Sequence, residues 1–589
     1  MLSSGGYSCI ANDSGKDHSI VLQRILPALI TEFSKVWMAT VAIVVLVALV
    51  VEIVSQEHVV TVGDVVTDHS SCSDIGKEIL QLGGNSVDAA VAAALCLAVA
   101  VPHRVGLGGG GVMMVNDLRR NQTVVIDFQE VSPAKLDIRG YTDNLATIEH
   151  GPKSSGVPGF LAGLRHAHQK YGSGALRRDC CGWGDLLRGT LHLIASGFPV
   201  SGDWQETKLS MDSKYESQQF RNFLKVDGYS RPDSNVTKNM ERTLKAIFED
   251  PVKNFYKGSV GKRVRVDLKG HLSEDDLTAY QPVERVPIGA KVGDFSVLTA
   301  PAPSAGPELL ALLGAVEQMK GEATFEGIHY LRNLAGMLEG LHREARLLGD
   351  PMADQAHSHE PGFVSVAERT LELVRRENEA RWVSPRSDGQ QRGGADAWQV
   401  GSHLAVMDEH DLYVSAVFSL GDLFGSRSFS QGFLLNNALA NFDLSPLLPT
   451  GQLSGEKASS NLLREGRRPL SRMAPVIAVN SATCGLRILA GGPLVEVTGQ
   501  VLAPLLLSPN GDMTRSLSTP KLVLVNGTVK AESSLDAGTR TQLELDSLDQ
   551  LLGPTSALEK VQNKATGFSD HRGGRQDNRW ATLTPKYIH

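Results

Sequence analysis

A chain of 589 residues that is 42% hydrophobic and 21% charged can bury a large core, as two or three ordinary domains or one large α/β unit, and is not disordered. Its formal net charge of −7, with both signs scattered, leaves no basic face for nucleic acid, and the short run around Arg464, Arg467 and Arg468 reads as a solvated loop. The six cysteines, at 9, 72, 96, 180, 181 and 484, lack the CxxC pairs of a structural zinc site.

Residues 36–51, VWMATVAIVVLVALVV, are uncharged and apolar. Ile53 and Val54 extend the run past Glu52 to about the length that crosses ~30 Å of hydrocarbon as a helix. A run this far from the first residue, with no small-residue cleavage site after it, reads as an anchor and not as a removed leader. Lys35 before the run and Glu52 behind it favour a cytoplasmic N-terminus. The expectation is a cytoplasmic tail over 1–35, a transmembrane helix over 36–54, and a single-pass type II protein whose C-terminal part is extracellular or lumenal. Sequons at Asn121, Asn235 and Asn526 fall in that part as glycosylation candidates, whereas the one at Asn12 falls in the tail.

After a short stalk, residues 72–100 read as an amphipathic helix followed by an Ala-rich, almost wholly apolar one that must be buried on most sides and ends at Pro102. Cys72 and Cys96 flank this stretch, and their spacing suits equally a bridge in an oxidising compartment or two buried thiols. Gly106, Gly108 and Gly111 match G-x-G-x-x-G, but a dinucleotide fingerprint has its strand before the loop and its helix after it. Here the order is reversed, so the loop is expected to serve tight turns where backbone meets backbone.

From 157 to 350 the pattern is mostly helical, with three-to-four spacing in VPGFLAGLRHAHQKYG, GDLLRGTLHLIASGFPV, NMERTLKAIFED and ELLALLGAVEQM. This half reads as a helical coat over a sheet. Residues 381–397 are polar and Gly-rich, an exposed linker. Beyond them the period becomes two: 402–420 reads as a hairpin turning near Asp408 to Asp411, with strands at 475–479 and 521–525 and a helix over 494–507.

The ordered pieces VDAAVAAALCLAVAVPHRVGLGGGGVMMV, GVPGFLAGLRHAHQKYG, DFSVLTAPAPSAGPELLALL, LLGDP, GSHLAV, LFGS, GFLLNNALANFD, RRPLSRMAP and LAGGP resemble the γ-glutamyltransferase (glutathione hydrolase) family. The portion from Cys72 through GGGGVMMVNDLRRN looks most like its type 7 branch. The resemblance covers about 58 to 530. It implies an α/β fold, the four-layer αββα sandwich of N-terminal-nucleophile hydrolases, with 55–400 as a large-subunit-like part, 401–565 as a small-subunit-like part and 566–589 as a disordered tail.

Family members cut their own chain before a threonine, which becomes the nucleophile with its own α-amine as base. Their substrates are γ-glutamyl compounds, chiefly glutathione, and the chemistry needs no metal or organic cofactor. Carried onto this chain, His403 puts the nucleophile slot at Gly401, which has no side chain to attack with. Ser402 is the alternative nucleophile, although strand alternation points it to the opposite face. His403 itself reads as hydrogen-bonded packing on a half-buried strand.

The supporting threonine corresponds to Ser419 and the asparagine after it to Gly421. The arginine that clamps the substrate carboxylate corresponds to Gln129, and the two acidic residues that hold its amine correspond to Ala438 and Asn441. Of the paired serines Ser471 remains and the second is Arg472, while the oxyanion-hole glycines Gly491 and Gly492 are intact. Each lost charge-assisted contact weakens a ligand by about 1.5–3 kcal/mol, so little affinity for a glutamyl head is expected. The protein partner of such a scaffold is not legible.

Overall fold

The computed structural model describes residues 37–46, 63–174, 181–209, 211, 217–319, 325, 327–345, 348–350, 399–444, 459–480, 485–508, 511–525, 527–548, 555–561 and 564–569. The chain divides into one unit of residues 1–60 with 585–589 and a second of 61–584. In the first, residues 37–46 are helical, and Trp37, Met38, Ile43 and Leu46 are exposed. The rest of the expected 36–54 span lies outside the described residues, as do the 1–35 tail, the 381–397 linker, Asn526 and everything after 569. Among the described residues no helix is long and apolar enough to cross a membrane.

The second unit is built on two six-stranded sheets. The first runs in the order β1 (Gly63–Thr67), β7 (Val400–Asp408), β8 (Leu412–Gly421), β2 (Gly110–Asp117), β3 (Gln122–Asp127) and β4 (Val283–Arg285). In the second, β5 (Ile288–Val292) and β6 (Phe295–Thr299) lie beside strands Ala474–Asn480, Leu486–Gly492, Ser556–Val561 and Lys564–Ser569. Every neighbouring pair in both sheets is antiparallel.

Strand alternation sorts the core into layers. On β7, Leu404 and Val406 pack with Leu95 and Leu97 of helix Ser86–Ala100, while Ala405 and Met407 meet Ile477, Leu489 and Leu558 of the other sheet. That sheet turns Val476, Ala478 and Ala490 to helices Gly306–Gln318 and Val495–Leu507. The result is helix, sheet, sheet, helix. Strands from before and after residue 400 interleave in both sheets, so neither part closes a core alone.

Helix Ser86–Ala100 is buried on every residue, and its run of alanines lets the neighbours come close. Asn85 starts it, accepting from the amides of Val87 and Asp88, and the Asp88 carboxylate closes the capping box. A disulfide joins Cys96 to Cys72 on helix Ser70–Gln81. In the glycine loop a side chain at Gly108, Gly109 or Gly111 would fall within 2.3, 2.3 and 2.6 Å of the carbonyl oxygens of Leu434, Ser419 and Val417. The loop is close packing of backbone on backbone.

Two expectations fail locally. The stalk ends in a strand, since β1 is buried along its length and pairs with β7. The helical coat is interrupted by β4, β5 and β6, which are three to five residues long; β5 turns Ile288, Ala290 and Val292 to the core and leaves Gly289 and Lys291 exposed, an alternation too short to stand out.

Candidate active site

The site grows from the start of β7. Ser402 pairs with Phe418, and the register stays regular onward to Met407, whereas Val400 pairs with Gly421. One residue of β7, Gly401, therefore faces two of β8, Ser419 and Leu420, in a β-bulge. The Ser419 hydroxyl spans it, donating to the Val400 carbonyl at 2.5 Å and accepting from the Gly421 amide at 2.8 Å.

Gly401 is buried, and a Cβ added there would lie 2.3 Å from the Phe418 carbonyl oxygen and 3.1 Å from Cβ of Pro493. Position 401, the expected nucleophile slot, thus borders Pro493 beside Gly491 and Gly492 but has no room for a side chain unless β8 moves. Ser402 is fully buried, and its hydroxyl has no hydrogen-bond partner. By alternation it faces the helix-side core with Leu404 and Phe418, away from the two glycines.

His403 faces between the sheets. Its Nδ1 lies 2.7 Å from the Ser556 hydroxyl and its Nε2 3.0 Å from the Ser415 hydroxyl. Ser415 donates its own proton to the Ala490 carbonyl, so it accepts from Nε2–H, which leaves Nδ1 to accept from Ser556. Complete burial pushes the imidazole down to about 3, so it is neutral. A Cβ at Gly491 would come within 2.6 Å of the His403 ring, which gives that glycine a packing reason. Gly491 and Gly492 close strand Leu486–Gly492, paired with Pro475 and Ala474, ahead of helix Val495–Leu507.

Gln129 is buried, donating from Nε2 to the Ser304 hydroxyl at 3.3 Å while its backbone carbonyl accepts from the Tyr280 hydroxyl at 2.8 Å. The guanidiniums near it are engaged elsewhere: Arg285 lies on Asp127 at 2.7 Å and Asp350 at 2.9 Å, and Arg468 lies 3.5 Å from Asp127. Next in the chain, Glu130 was missed by sequence reasoning; burial pushes its carboxyl up to about 8. Its one visible signal is an acidic residue three positions after β3 ends, beside Gln129.

A side chain at Gly421, whose φ is 95°, would fall 2.1 Å from Oδ1 of Asn437. Ala438 and Asn441 open and close a buried 3₁₀ turn. The amide of Ala438 donates to Asn436, and the carbonyl of Asn441 accepts from Asn461.

The Ser471 amide donates to the Pro303 carbonyl at 2.8 Å, next to the Ser304 that holds Gln129; that backbone contact ties the two slots together. Arg472 donates through its amide to Gln399 at 2.6 Å and through its guanidinium to Glu496. Asn441, Ser471 and Arg472 share one cavity, so contacts through Pro303, Ser304 and Gln399 join slots far apart in sequence, from Gln129 to the bulge. Ser471 and Arg472, expected at the paired-serine position, lie together on this cavity, and the two positions expected to hold an amine carry an alanine and an asparagine.

Comparison with known proteins agrees with this frame. A family model described as Gamma-glutamyltranspeptidase matches residues 72–580. Glutathione hydrolase 7 of Mus musculus is 30% identical over 481 residues, covering 78% of this chain and 69% of its own. The glutathione hydrolase proenzyme of Escherichia coli (strain K12) is 27% identical over 444 residues, covering 71% and 73%. Among solved structures, a cephalosporin acylase from Bacillus halodurans superposes with a TM-score of 0.69 at 18% identity, covering 89% of this chain and 96% of that one, a likeness of fold. The chain belongs to the gamma-glutamyltranspeptidase family.

Proposed function

We propose that this chain is a membrane-anchored gamma-glutamyltranspeptidase-family scaffold whose self-cleavage and γ-glutamyl transfer are lost or much reduced, and that it serves as a binding or regulatory partner. The observation that carries the reading is Gly401: the slot for the attacking hydroxyl has no side chain, and the Phe418 carbonyl fills the space one would need. Gln129, Ala438 and Asn441, in place of a guanidinium and two carboxylates, add to it by removing the charges that would grip a glutamyl head. Residues 36–54 are the proposed anchor, in type II orientation.

A second reading makes Ser402 the nucleophile of an active glutathione hydrolase or γ-glutamyl transferase. Its support is that the Ser402 hydroxyl is buried and unpartnered, hence uncommitted. A denaturing gel of the purified full chain, run beside a γ-glutamyl anilide assay with Ser402→Ala as control, separates the two. One intact band without turnover is expected; two fragments split at 401/402 with Ser402-dependent turnover would overturn the proposal.

A further inference from the structure

Gln399 stands two residues before Gly401, is only 4% exposed, and lines the cleft among helices Gly306–Gln318, Ile328–Ala345 and Val495–Leu507. Asn441, Ser471 and Arg472, the positions expected to hold a glutamyl head, line the same cleft. With Gln399 in place the cleft encloses about 40 Å³. That is room for water, and far below the ~300 Å³ at which small-molecule sites begin.

The residue is held from both ends. Its side-chain Oε1 accepts from the Arg472 backbone amide at 2.6 Å. Behind it, Val400 pairs with Gly421 and its carbonyl accepts from the Ser419 hydroxyl at 2.5 Å. Arg472 is itself fixed, because its guanidinium donates to Glu496 and, at 3.2 Å, to the Leu524 carbonyl. A buried backbone amide without an acceptor is costly, so a ligand that displaced Gln399 would have to bring an acceptor of its own to Arg472.

We propose that Gln399 is a built-in occupant of this cleft: in the uncut chain its carboxamide satisfies the Arg472 amide and keeps glutamyl-sized ligands out, an autoinhibitory contact that acts in addition to the missing charges. The proposal rests on the uncut chain of the proposed function, because a break beside Gly401 would leave Gln399 near a free chain end.

Thermal unfolding of the full-length chain with and without acetamide reads the contact, on protein that runs as one band on a denaturing gel. Acetamide matches the part of a glutamine side chain beyond Cβ, so Gln399→Ala leaves a space of that shape with the Arg472 amide as its donor. Gln399→Ala is expected to melt below the parent, and acetamide to raise its midpoint saturably, by at least about 1 °C more than it moves the parent. Gln399→Met, which fills the space without an amide, should also melt below the parent but show no saturable response. On the parent itself, hydrogen exchange should find the Arg472 amide protected. An equal acetamide response in the parent and Gln399→Ala, an equal response in Gln399→Met, or exchange of the Arg472 amide as fast as in an open loop would each overturn the assignment, whereas two bands on the gel would overturn the uncut chain on which it rests.

Discussion

The Ser419 hydroxyl donates to the Val400 carbonyl oxygen at 2.5 Å, and that carbonyl belongs to the peptide bond leading into Gly401. A hydroxyl on this carbonyl is placed to polarise the peptide bond, yet the next residue offers no nucleophile. Under the proposed function, the bulge would keep the frame of a processing junction around a position that has no side chain.

Restoring a threonine at 401 should therefore not restore chemistry by itself. With a Cβ only 2.3 Å from the Phe418 carbonyl, Gly401→Thr must displace β8. A destabilisation of about 1–3 kcal/mol is expected, as for overpacking elsewhere. Urea unfolding and a denaturing gel check this; a variant as stable as the parent that cuts itself would show that the bulge is plastic.

Ser402→Ala tests the neighbouring hydroxyl from the stability side. A buried hydroxyl without a partner is a cost, so its removal should be neutral or stabilise by up to about 1 kcal/mol. The measurement is the chemical-denaturation midpoint. A loss of more than about 1 kcal/mol would mean that the hydroxyl has a partner after all.

Acid should find His403. Held near 3 when folded, the imidazole gains its proton near 6.5 once unfolded, so the unfolded state binds more protons between those values. The stability it contributes is present above about 6.5 and lost as pH falls towards 3, by at most about 1.4 kcal/mol per unit. Unfolding free energies at pH 7 and pH 5 should differ less in His403→Gln than in the parent. Equal pH dependence in the two would place the proton uptake elsewhere.

Breaking the pair of Arg472 and Glu496 should cost more than deleting it. Their side chains are 14% and 3% exposed, so Arg472→Met strands a buried carboxylate and should destabilise by about 3–5 kcal/mol, part of which Arg472→Met/Glu496→Leu recovers. Thermal unfolding of the two variants decides it. If the double variant is no better than the single, the charge is not what Arg472 neutralises.

Cys72→Ser/Cys96→Ser should lose about 3 kcal/mol, the stabilisation of a bridge closing a loop of this length. Equal melting of the parent with and without reductant, under conditions that reduce the bond completely, would contradict this.

The long apolar helix Ser86–Ala100 and the hairpin of β7 and β8 were legible because their patterns are local and strong, as was the helix Val495–Leu507. β1, β5 and β6 were not, because five-residue strands acquire their identity from the partner they pair with. The glycine loop was read correctly as close backbone packing because the order of elements around it excluded a phosphate cradle.

Residue identity by itself determined what position 401 lacks: a glycine carries no hydroxyl in any fold. It also determined that the motif order is that of the family, since side-chain chemistry and spacing are written in the chain. Only the tertiary structure decided that Phe418 closes the space beside Gly401, that His403 spends both ring nitrogens on serines of two different sheets, and that Glu308, Arg472 and Glu496 meet in one cavity. Those facts depend on contacts between strands and helices remote in sequence, and burial there sets the charge states that local sequence cannot.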